Sequence, residues 1–180
     1  PDFGGSDTLG VNSSTDFGGA GIVNFQAGSG SFADVFDYKS DLKAGNGNTS
    51  INEAVDTLTL NTPSASATAI SNNASAVIKF ANAQLSVDLL NSTADQIVSN
   101  VESLLESTSR NQFTQSNSAV TLTDSLLIFF EATSNFGTTR DAVVIRYQEG
   151  AGTPDASFDD ELSVLAVFQG VTDFDVANIV

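Results

Sequence analysis

The sequence predicts a mainly β domain, an antiparallel sandwich or a β-roll-like fold, with one amphipathic helix and a Gly-rich N-terminal extension. Three observations predict it. The polar residues are mostly Ser, Thr, Asn and Asp, a composition that favours strands and turns over long helices. Short apolar runs separated by Gly and Pro recur along the second half of the chain. One segment alone carries a clear helical period. At 180 residues and 41% apolar, the chain is the size of one ordinary domain and can bury a core.

Residues 1–31 form the Gly-rich extension. Asp2-Phe3-Gly4-Gly5 recurs as Asp16-Phe17-Gly18-Gly19, and each copy reads as a Gly-Gly turn delivering a short apolar strand. Two copies are too few for a solenoid, which needs about three stacked units. The extension reads either as an arm that adds a strand to a neighbour's sheet edge or as a segment packed on its own chain or disordered. Residues 32–180 read as a single β-rich domain. Asp34 to Tyr38 is a short alternating stretch, followed by a polar turn region from Lys43 to Ser50. Glu53 to Leu60 alternates, with Val55, Thr57 and Thr59 on one side and Asp56, Leu58 and Leu60 on the other. Residues 61–75 read as a low-complexity loop, and Ala76 to Phe80 as a strand.

The helix is expected over about 94–107. Ile97, Val98, Val101, Leu104 and Leu105 fall on one helical face. Thr93 with Gln96 matches a capping box, and Asp95 stands in the first turn, where the helix dipole favours it. Three strong strands follow. Ala119 to Glu131 includes Leu126 to Phe130, apolar on both faces, and so reads as central. Asp141 to Gln148 and Leu162 to Phe168 complete the set, linked by segments that carry Gly137, Gly150, Gly152 and Pro154. The expectation is eight or nine strands and one good helix.

Composition excludes several chemistries. The chain has no His, Cys, Met or Trp. That removes Ser-His-Asp and Cys-His nucleophilic sites, the usual zinc, haem and iron–sulfur ligation, and any disulfide framework. No marked carboxylate pair points to glycoside hydrolysis, and only Tyr38 and Tyr147 join Phe as aromatics. The chain therefore reads as non-enzymatic. Twenty-two acidic residues against six basic ones leave a net charge of −16. This argues against nucleic acid and anionic membranes as partners and favours any state that binds cations. No apolar run approaches the roughly 18 residues needed to span a bilayer. The acidic, Cys-free, Thr/Ser/Asn-rich composition points to a bacterial extracellular or cell-surface protein. The chain opens on Pro1 without Met, as a processed or trimmed product or a fragment does.

Calcium is the implied cofactor. It takes six to eight oxygen ligands, which clustered carboxylates and carbonyls can supply. Gly4-Gly5-Ser6-Asp7 is a displaced version of the Gly-Gly-x-Gly-x-Asp turn that traps Ca²⁺ in β-rolls, and Gly18-Gly19-Ala20-Gly21 lacks the Asp. A plain Gly turn is the simpler reading of both. Asp34 and Asp37, with Asp41 close by, form a second candidate; Asp155, Asp159, Asp160 and Glu161 form a third. Neither matches an EF-hand loop, and each also reads as a solvated acidic segment. Asn-x-Ser/Thr sites occur at Asn12, Asn48, Asn73 and Asn91, about as many as chance provides.

Several segments resemble the terminal module of bacterial proteins exported by type I secretion, the RTX-type adhesins and surface-layer proteins. Ala33-Asp34-Val35-Phe36-Asp37-Tyr38, after Gly28-Ser29-Gly30, resembles the motif that opens such modules. Asp141 to Tyr147 resembles their late hairpin, and Leu165 to Val171 their last strand. Asp173 to Val180, acidic then apolar, resembles the uncleaved C-terminal secretion signal. The resemblance covers residues 20–48 and 120–180, and the chain departs from the pattern in having no intact nonapeptide array. It implies a calcium-dependent extracellular structural subunit of a surface layer, fibre or matrix. Such a subunit would associate with identical copies and engage the type I secretion machinery. The alternative is an adhesin binding module or the secretion tail of a larger protein.

Overall fold

The computed structural model of the chain describes residues 8–11, 25–27, 33–38, 57–59, 68–70, 77–105, 113–115, 124–132, 140–148, 161–171 and 178. Among these residues there are nine strands and one helix: β1 (Thr8–Val11), β2 (Val35–Tyr38), β3 (Thr57–Thr59), β4 (Thr68–Ile70), β5 (Val77–Leu85), α1 (Ala94–Leu105), β6 (Phe113–Gln115), β7 (Asp124–Glu131), β8 (Ala142–Gln148) and β9 (Leu162–Phe168). The mainly β expectation holds. No described helix is long and apolar enough to cross a membrane.

Strand direction is where the structure adds most. The strongest part, β7-β8-β9, is antiparallel, with Leu127 opposite Ile145 and Val143 opposite Val167. On its other side β7 pairs parallel with β5, and β5 pairs parallel with β3, so the main sheet is mixed, in the order β3-β5-β7-β8-β9. Two further parallel pairs, β1-β2 and β4-β6, stand outside it. Successive strands from β3 to β7 thus alternate between the main sheet and the β4-β6 pair. The segment 61–75, expected to be loop throughout, contains β4 from Thr68 to Ile70. Three residues of Thr-Ala-Ile are too short for period-two alternation to register against their Ser/Ala-rich surroundings, and their pairing with β6 supplies what local pattern does not.

β7 lies inside the main sheet, and Leu126 to Phe130 are all at most 2% exposed. Alternation sends Leu127 and Phe129 to one face, and Leu126, Ile128 and Phe130 to the other. The first face carries α1. Ile97, Val101 and Leu105 of the helix join Phe80, Leu85, Leu89, Leu127, Phe129, Val143 and Ile145 in one core. Phe80 and Phe129 stack with ring centroids 4.3 Å apart and planes within 8°. The second face is covered by the N-terminal segments: Phe25 and Phe36 pack with Leu126, Ile128, Phe130 and Phe168, and Leu9 and Ala27 lean on the same cluster. Phe168 takes Phe25 at 4.6 Å and Phe36 edge-on at 5.7 Å. The described parts of the Gly-rich extension therefore pair and pack within the chain.

β9 is almost wholly buried although it lies at a sheet edge, and a bulge explains the pattern. Ile145 pairs with Val164 while the neighbouring Val144 pairs with Ala166, so Leu165 is the extra residue. Before the bulge Leu162 and Val164 face the helix; after it Val167 does, and Leu165, Ala166 and Phe168 join the opposite core. A regular strand would have put Val167 and Phe168 on each other's sides.

The helix forms as its sequence dictates. The Thr93 N–H donates to Gln96 Oε1 at 2.9 Å and the Gln96 N–H donates to Thr93 Oγ1 at 3.3 Å, a reciprocal capping box. Thr93→Ala is expected to cost about 1 kcal/mol, and Phe129→Ala about 3–5 kcal/mol. Urea titrations of the two variants against the unchanged chain check both values.

Candidate functional site

Asp34, the first sequence candidate for calcium, is fully buried. Its Oδ2 accepts the Gln26 N–H at 2.7 Å, its own N–H donates to the Gln26 carbonyl at 2.9 Å, and its carbonyl accepts Asn178 Nδ2 at 2.8 Å. One residue thus ties itself to Gln26 and fastens a residue 144 positions downstream. Asn178 is itself fully buried. Burial alternates through this stretch. Asp34 and Phe36 take the buried side, while Val35 and Asp37 are half-buried on the other. Asp34 and Asp37 thus differ in burial, the first fully buried and the second half-buried. Glu161 is half-buried at the start of β9. Asp7, Asp155, Asp159 and Asp160 lie outside the described residues. Among the described residues, no group of three or more His, Cys, Asp or Glu side chains is arranged to hold a metal. Asn91, the one described glycosylation candidate, is exposed, and its Nδ2 donates to Asp88 Oδ2 at 2.7 Å.

A second polar knot lies at the C-terminal end of β7. Glu131 shares the helix-facing parity of Leu127 and Phe129 but ends the strand, at 2% exposure. Its carboxylate accepts the backbone N–H groups of Leu89 and Asp141. Its own N–H donates to the Asp141 carbonyl at 3.0 Å, and the Ala132 N–H donates to the Leu85 carbonyl at 3.0 Å. Asp141 Oδ1 accepts the Gly170 N–H at 2.7 Å. Asp88 Oδ1 accepts the N–H groups of Leu90 and Asn91, both at 3.1 Å, and so shapes the turn that leads to α1. Gly170 has φ +71, a left-handed conformation with open space around it, so backbone freedom and not crowding calls for Gly.

Burial pushes the Glu131 carboxyl up to about 7, and the charges of Asp141 and Asp88 push the same way; the two backbone N–H groups oppose them. A carboxyl placed this way can change charge near neutrality. Sequence reasoning placed Glu131 only as the end of a strand. The available signal was an acid closing a run of five apolar residues, where strand parity carries it into the core.

Asn178→Ala removes the donor to the buried Asp34 carbonyl. It is expected to cost about 1–3 kcal/mol and to raise amide exchange at Gln26 and Asp34, measured by NMR. Comparison of the chain with protein-family models, with curated proteins and with solved structures finds no match to any.

Proposed function

We propose that the chain is a non-enzymatic structural subunit of a bacterial surface layer, fibre or matrix. In this reading it is exported by type I secretion and stabilised or assembled outside the cell by calcium. The observation that carries it is the charge: −16 on 180 residues, with 22 carboxylates against six cations. Such a chain repels itself when compact, and bound divalent cations relieve that repulsion. Anything that binds the folded state alone stabilises it by mass action, so millimolar calcium outside the cell favours folding where a low-calcium cytosol does not. The acidic candidates are Asp7, Asp34, Asp37, Asp155, Asp159, Asp160 and Glu161. For Asp34 the accessible oxygen is limited, since one carboxylate oxygen and the carbonyl already accept hydrogen bonds.

Of the two architectures expected, the roll has the better support. Strands β3 to β7 alternate between two parallel pairings, the winding of a coil, and the antiparallel β7-β8-β9 set would close it. Self-association with identical subunits follows from the structural reading. A second reading, an adhesin module or the secretion tail of a larger protein, draws on Asn178. This residue of the terminal segment 173–180 is part of the packed domain and fastened to Asp34.

Sedimentation velocity in millimolar calcium and then in chelator tests the proposal. Calcium is expected to convert a monomer to large regular species and to raise the melting temperature. A monomer in both conditions overturns the assembling-subunit reading and leaves the adhesin or export-tail reading standing. A melting temperature unchanged by chelator removes the role of calcium.

A further inference from the structure

Four chain segments meet at the C-terminal end of β7. The turn after β5 arrives through Leu89 and Asp88, β7 through Glu131, the start of β8 through Asp141, and the turn after β9 through Gly170. Every link between them passes through a carboxylate or its backbone neighbour. Glu131 receives N–H groups from two segments, the turn after β5 and the start of β8. Asp141 in turn receives one from the segment after β9. We propose that Glu131 is a proton-controlled latch: neutral, it lets these four segments close around it, and ionised, its buried charge beside Asp141 and Asp88 loosens the turn that leads from β5 into α1.

The electrostatics of the place support this. Among the described residues, the charged groups acting on Glu131 are Asp141, from the start of β8, and Asp88, from the turn between β5 and α1, both acidic. β9 contributes only the neutral Gly170 N–H, through Asp141. An ionised Glu131 is therefore a buried negative charge facing two others, with two backbone N–H groups to hold it. Water can reach it at least disturbance through the Asp88–Asn91 turn. That turn is held by short-range bonds within four residues, and its Asn91 is exposed. The β7-β8-β9 ladder, buried on both faces, stays closed.

The direction with pH follows from the sign of the displacement. Glu131 titrates higher in the folded chain than the ordinary 4.5, at about 7. Its neutral form thus contributes stability fully present below pH 4.5, which is lost as pH rises through about 7. This span corresponds to about a 300-fold change in the opening equilibrium at most, reduced where water screens the neighbours.

The test uses the full chain in chelator, so that it is independent of any calcium response. Amide exchange, corrected for base catalysis, is measured at about pH 5.5 and about pH 8.5. In the unchanged chain, opening at Leu89, Leu90 and Asn91 is expected to rise at least about tenfold, with little change at the β8 centre. Glu131→Gln keeps an acceptor without the charge, and its opening is expected to change by less than about twofold over that range. The same pH slope in both chains overturns the latch. If Glu131→Gln does not fold, NMR titration of the Glu131 carboxyl in the unchanged chain decides: a midpoint above about 6 supports it, and one in the ordinary range near 4.5 overturns it.

Discussion

A strand with five consecutive apolar residues has no face to give to water, so something must cover each side. In this chain that strand is β7, and what covers it determines most of the architecture. On one side the amphipathic stripe of α1 fits the alternation of Leu127 and Phe129. On the other, where a second helix or sheet layer is a common solution, short segments from the N-terminal quarter do the work with Phe25 and Phe36. β8 and β9 extend the same two-sided burial outward, and the bulge at Leu165 lets β9 serve both cores at the sheet edge. The helix and the N-terminal segments touch different faces of one strand, and each depends on the rigidity of the other's support.

The ends of such a sheet carry a different problem. Backbone groups leaving a buried strand must find partners while still inside the protein. Here acidic and amide side chains supply them. Asp34 satisfies Gln26, Asn178 satisfies Asp34, and Asp141 satisfies Gly170. Carboxylates are strong acceptors for clustered N–H groups, and a chain rich in Asp and Asn has many to spend on turns. Glu131 shows the other side of that choice, since its acceptor strength comes with a charge that burial disfavours.

The legible part of the fold was the part in which local pattern and tertiary role coincide. Thr93 and Gln96 announce a cap and form one. Leu126 to Phe130 announce a strand apolar on both faces and are buried on both. The antiparallel run of β7, β8 and β9 was legible from its Gly-bearing links, but the parallel pairing of β5 was not, because alternation is the same whether Val77 pairs parallel or antiparallel. β4 and β6 were missed because three residues hold no periodicity to read. Among the candidate ligands, the cluster Asp34 and Asp37 was read by proximity in sequence. Strand parity separates residues an odd number apart, and it divides these two between a buried and a half-buried side. The Glu131 knot joins residues from 85 to 170, a separation no local window spans.

The bond from Asn178 to Asp34 also orders events in time. Closing a loop of that length costs entropy that only an already formed platform can repay. The platform is the β7-β8-β9 ladder, made of neighbours in sequence, with Phe168 at its end. Phe25 and Phe36 come early in the sequence but both close their ring contacts on Phe168, which comes late. Asp34 reaches further still, to Asn178. The strands that come first in the sequence thus draw their fastening from residues that come late in it, and closure runs from the later segments back to the earlier ones.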